Sequence, residues 1–76
     1  MQLILQNISL GRNIKALRIS KGYTQAQVVV KMQLMGSKIC RRTFSYIELG
    51  KRNIKVSDLI AIKSVLDAQY DDIFKV

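Results

Sequence analysis

A chain with no proline and only four glycines has few places where a helix is forced to stop. Gly22, Gly36 and Gly50 lie between segments with helical apolar spacing, so they set the frame for the rest. The first segment runs from about Leu10 to Lys21, with Ser9 at the N-cap and Leu10, Ile14 and Leu17 recurring at i, i+4, i+7. Gly22 closes it, because a helix end often needs a left-handed residue and glycine reaches that conformation at least cost. The second opens on Thr24-Gln25-Ala26-Gln27, the spacing of a capping box, with Tyr23 and Val28 at the positions of a hydrophobic staple. Val28-Val29-Val30 favours strand by propensity, but the cap and the length of the run to Met35 favour helix. Gly36 to Ile39 forms a connection. The third helix is expected over Arg41 to Leu49, with Phe44 and Ile47 as its apolar stripe and Gly50 as its stop. Lys51 to Val56 reads as a basic loop. Ser57 then caps a fourth helix with Leu59, Ile60, Ile62 and Leu66 as its buried set. A short last helix, Tyr70 to Phe74, buries Ile73 and Phe74 and keeps its aspartates at the favourable end of the dipole. The fold class this predicts is all-α: five helices in an orthogonal bundle, with no strand needed beyond residue 9.

Seventy-six residues, 49% of them hydrophobic, make one ordered domain with a small core. Residues 10–76 form that domain and residues 1–9 an arm. In the arm Leu3 and Leu5 alternate with Gln2, Ile4 and Gln6, a pattern open both to pairing across a dimer and to a frayed terminus. The same stretch lacks the basic region of a signal peptide and is too short to span a bilayer.

Charge narrows the partner. Thirteen Lys and Arg against five Asp and Glu leave a net +8, which points to a polyanion. Between Lys38 and Lys55 stand Lys38, Arg41, Arg42, Lys51, Arg52 and Lys55 with one acid, Glu48. Between Asp58 and Asp72 the balance reverses, with four acids and Lys63 alone. One cysteine, Cys40, and no histidine leave no set of zinc ligands and no internal disulfide, and a reducing interior fits best. The acids have no plausible base or nucleophile partner, and no glycine loop suits a cofactor phosphate, so neither an enzyme nor a cofactor is expected. Cys40 precedes the third helix near two arginines, where it reads either as a small N-cap substitute or as a thiol of lowered pKa.

The order of these residues resembles the phage Cro and repressor type of helix-turn-helix domain, the Xre family. The resemblance rests on Leu10-Gly11-x-x-Ile14-x-x-Leu17-Arg18, on Gly22-Tyr23-Thr24-Gln25, on Ile47-Glu48-x-Gly50-Lys51-Arg52, on Leu59 to Leu66, and on Asp71-Asp72-Ile73-Phe74. It implies a five-helix, lambda-repressor-like bundle whose third helix enters the major groove of double-stranded DNA. Arg41, Arg42, Ser45 and Tyr46 then take base-contacting positions, and arginine suits either guanine O6 and N7 or a phosphate. Gln25, Thr43, Lys51, Arg52 and Asn53 take phosphate-contacting positions, and Gln25 also buttresses the third helix. Arg18 and Glu48 correspond to a partly buried structural salt bridge. The resemblance further implies a bacterial or phage cytoplasmic protein, associated with the nucleoid and bound to its operator as a homodimer.

The chain departs from that pattern between Thr24 and Glu48, where it is about six residues longer than a turn of three or four residues requires. The excess falls over residues 33–39, so either the second helix is lengthened or the connection is enlarged. Lys38 in this stretch is a further phosphate-contact candidate. Cys40 stands where Ser or Thr is usual, and Lys63 where Ala is common. The leading expectation is a sequence-specific DNA-binding regulator, most simply a repressor. The alternative is a protein-interaction module on the same scaffold, such as an antitoxin or a partner of another regulator. A cationic membrane-active peptide is disfavoured, because the bases lie at one helix end and in loops rather than along an amphipathic helix.

Overall fold

A computed structural model describes residues 3–4 and 9–75. Five helices carry the fold: α1 (Leu10–Ser20), α2 (Gln25–Leu34), α3 (Arg41–Glu48), α4 (Val56–Leu66) and α5 (Tyr70–Ile73). A short antiparallel pairing joins β1 (Leu3–Ile4) to β2 (Ile54–Lys55), with Leu3 opposite Lys55 and Ile4 opposite Ile54. The absence of strand beyond residue 9 is thereby corrected. Ile54 is fully buried, so the segment between α3 and α4 is pinned by its side chain as well as by the pairing. Leu3 and Ile4 pair within their own chain, where the sequence left pairing across a dimer and a frayed terminus both open. Residues 1–2 and 5–8 of the arm lie outside the described residues.

Local signals account for most of the element boundaries. The Thr24 hydroxyl accepts the Gln27 N–H at 3.1 Å, and the Gln27 side-chain oxygen accepts the Thr24 N–H at 2.8 Å, so the capping box holds α2 in spite of its valines. Three helices end in one hydrogen-bonded pattern. Gly22, Gly36 and Gly50 take φ of 77°, 97° and 75°, and the N–H of each following residue reaches back to the carbonyl of Arg18, Met32 or Tyr46. α4 ends likewise, with Asp67 at φ 49° in the position glycine holds elsewhere and Ala68 N–H bonded to the Lys63 carbonyl. Lys21, Met35, Leu49 and Phe74, the expected last residues, lie just past their helices, each of which ends one position earlier.

Two expectations for α4 fail. Ser57 is not its cap: the extended backbone of β2 runs through Lys55 directly into Val56, leaving Ser57 inside the first turn. Ile60 is 51% exposed, because Leu59, Ile62 and Leu66 share one face and Ile60 points about 100° away from it. Ser9 stands before α1 but makes no side-chain cap; its carbonyl accepts the Asn13 N–H instead. The core collects Leu10, Ile14, Val28, Met32, Phe44, Ile47, Ile62, Leu66 and Ile73, with Leu17, Tyr23 and Phe74 packed against it. On the outer side of α2, Val30 and Leu34 remain exposed.

Candidate nucleic-acid interface

The third helix is seated by its C-terminal end. A methyl group built on Gly11 would overlap the carbonyl oxygen of Ile47 and lie 2.8 Å from that of Glu48, so only glycine lets α1 approach α3 this closely. Arg18 Nε donates to Glu48 Oε2 at 2.7 Å and its Nη2 to Oε1 at 3.1 Å, while Nη1 donates to the Tyr23 carbonyl at 2.9 Å. Gln25 Nε2 donates to Glu48 Oε1 at 2.8 Å. A carboxylate with a side chain only 2% exposed is thus held by a two-pronged guanidinium and an amide, tying α1, α2 and α3 together. Among the described residues no buried side-chain nitrogen or oxygen lacks a hydrogen-bond partner.

The N-terminal end of α3 is different. Cys40 occupies the N-cap position but makes no capping hydrogen bond, so it does not serve as the expected N-cap substitute. Its exposed Sγ contacts the Thr43 hydroxyl at 3.3 Å. That hydroxyl is the main reason the thiol's pKa lies below its ordinary value; backbone N–H groups of the same turn add to the effect. Arg41 and Arg42 are exposed, and the Arg42 guanidinium lies 5.7 Å from the centre of the Tyr46 ring, one helical turn on.

Beside α3 are two hollows. The first, of about 430 Å³, is lined by Lys38 from the α2–α3 connection, Thr43 from α3, Arg52, Asn53 and Lys55 from the segment after α3, and Asp58 from α4. The second is lined by Tyr46, Lys51 and Arg52. Arg52 belongs to both, so the two hollows adjoin and form one basic surface beside α3. Of the residues picked out from the sequence, Lys38, Thr43, Tyr46, Lys51, Arg52 and Asn53 meet here. Arg41, Arg42 and Ser45 line neither hollow. Gln25 spends part of its amide on Glu48, and Arg18 and Glu48 belong to the anchored end.

Reasoning from sequence missed three groups. Lys55 was counted in the basic block but given no place, and it lines the first hollow. Ser37 Oγ donates to Asp58 Oδ1 at 2.8 Å, which fastens the α2–α3 connection to α4. Asn13 Nδ2 donates to the carbonyls of Ile73 and Lys75 and holds the C-terminal helix onto α1. The unusual Lys63 places its ammonium 5.0 Å from the centre of the Tyr70 ring, bridging α4 and α5. The extra length between Thr24 and Glu48 is taken up by α2 running to Leu34 and by a connection over residues 35–40.

Among the described residues no group of three or more His, Cys, Asp or Glu is placed to hold a metal ion. None of the described helices is long and apolar enough to cross a membrane. Compared with models of protein families, with curated proteins and with solved structures, the chain matches none.

Proposed function

We propose that this chain is a sequence-specific DNA-binding regulator of the helix-turn-helix type, acting most simply as a repressor. In this reading α2 and α3 are the DNA-reading pair of a lambda-repressor-like bundle. The observation that carries it is the sharing of Arg52 between the two hollows, which joins basic and polar groups from three segments into one surface beside α3. Lys38, Thr43, Lys51, Arg52 and Asn53 contact phosphates and fix the register. Arg41, Arg42, Ser45 and Tyr46 face base edges, with Arg42 aligned by the Tyr46 ring. Two copies occupy a two-fold symmetric operator and block it by occupancy. Four of the five acids support this arrangement by their placement: Glu48 is consumed by Arg18, and Asp67, Asp71 and Asp72 lie at the end of α4 and in α5, so that Asp58 alone lines the first hollow.

The test is selection from random duplex DNA at two salt concentrations, followed by sequencing of the retained fraction. The expected result is an enriched, roughly palindromic motif with affinity that falls steeply with salt. Binding without enrichment would reduce the function to phosphate contact and overturn sequence reading. No binding at low salt would overturn the regulator and leave a protein-interaction module on this scaffold.

A further inference from the structure

The long α2–α3 connection carries Lys38 to the wall of a cleft whose other cations, Arg52 and Lys55, come from the far side of α3 in the sequence. We propose that this cleft is a phosphate-binding pocket, and that the added length of the connection is what completes it. The pocket deepens the DNA-binding reading and in part rests on it, but it makes a claim that stands apart: one phosphate group, held between Lys38 and the Arg52–Lys55 strip.

Four observations carry this. Three cations share the cleft with one acid, Asp58, so a net positive charge remains. Among the described residues neither Lys38 nor Lys55 has a carboxylate at ion-pair distance, so an anion entering the cleft would find both ammonium groups without an ion-pair partner. The buried side chains of Ile39 and Ile47 also line the cleft, and a low-dielectric wall concentrates the field of the cations. Thr43 and Asn53 add a hydroxyl and an amide, donors that suit a tetrahedral oxyanion better than a bare point charge would.

The connection is also fastened on both sides of Lys38. Gln33 Nε2 donates to the Ile39 carbonyl at 2.8 Å, the Ile39 N–H donates to Ser37 Oγ at 3.1 Å, and Ser37 Oγ donates to Asp58. The lysine therefore starts from a fixed backbone, and little ordering cost falls on binding. The Ser37 bond also engages the one acid of the cleft.

The phosphate can be a backbone phosphodiester or a free phosphate, and the 76-residue chain separates the two. Its amide signals are followed by NMR during titration first with inorganic phosphate and then with a 20-base-pair duplex. Saturable shifts centred on residues 38, 43 and 52–55 are expected with inorganic phosphate. Lys38→Gln and Lys55→Gln should each weaken that binding about fivefold, and Lys15→Gln, on exposed α1 surface, should leave it unchanged. Saturation by phosphate without duplex binding would keep the pocket as a free-phosphate site and remove the DNA reading. Duplex binding without phosphate saturation, and with Lys38→Gln no worse than Lys15→Gln, would overturn the pocket while leaving the DNA reading intact. Small unsaturable shifts spread over all the lysines would overturn the pocket as well, since they report screening alone.

Discussion

At its C-terminal end α3 is built into the molecule. Ile47 and Glu48 are buried, their carbonyls lie against Gly11, and the Glu48 carboxylate accepts hydrogen bonds from Arg18 and Gln25. Two turns away, at the N-terminal end, the cap makes no capping bond, Arg41 and Arg42 are exposed, and the nearby lysines have no acidic partners among the described residues. One short helix thus holds its stabilising contacts at one end and its unspent charge at the other. A helix whose polar anchor lies at its far end can present the exposed side chains of its first turn to a partner without that partner having to compete for the anchor. The same division explains why the basic block includes a single acid: Glu48 serves the anchor and adds little negative field to the surface.

This contrast can be broken most severely at Gly11. Gly11→Val is expected to cost about 4 kcal/mol or more in urea unfolding, because the new side chain meets backbone that has nowhere to move. A loss below about 1 kcal/mol would mean that α1 and α3 do not approach as closely as described. Next comes the ion pair. Glu48→Ala or Arg18→Ala should each cost about 3–5 kcal/mol, since each leaves its partner's charge poorly solvated. The double variant should lose clearly less than the two losses added, and simple additivity in a double-mutant cycle would dissolve the pairing.

At the other end the expected pattern inverts. Arg42→Ala should change stability by no more than about 0.5 kcal/mol, yet lower discrimination at one base position of a selected duplex by about 1–3 kcal/mol. Cys40→Ser should raise stability by about 0.5–1 kcal/mol, seen as a higher Tm, because a hydroxyl can accept the backbone N–H that the thiol leaves unbonded. The smallest effect concerns Thr43→Val. With the hydroxyl gone the Cys40 thiol should titrate at higher pH, so the pH profile of its alkylation by iodoacetamide should move upward and the rate at neutral pH should fall. An unchanged profile would show that the hydroxyl has no hold on the thiolate.

Much of the helical scaffold was legible because its signals are local. Thr24 and Gln27 announce their own cap, and Gly22, Gly36 and Gly50 sit at helix ends that need left-handed residues. The misses came from elsewhere in the chain or from counting apolar residues without placing them. Ile60 is as apolar as Ile62 but stands off the buried face. Ser57 has the composition of a cap, yet the extended backbone arriving from β2 settles the helix start two residues earlier. The β1–β2 pairing depends on partners roughly fifty residues apart, beyond the reach of any local pattern. For the candidate site, the isolation of Glu48 in a basic stretch was a readable sign of a structural partner. The meeting of Lys38 with Lys55 was not, because only the path of the chain around α3 brings the two into one cleft.

The hydrogen bonds of Asn13 bear on the order in which the molecule assembles. Its amide bonds carbonyls 60 and 62 residues further along, so this clasp closes a loop of almost the whole chain. Such closure is entropically expensive until intervening segments have shortened the path. α5 is therefore expected to dock late, and in stopped-flow experiments Asn13→Ala should speed unfolding while leaving the refolding rate unchanged. With that result the last helix to arrive would also be the first to depart, and opening of the native protein would begin at α5.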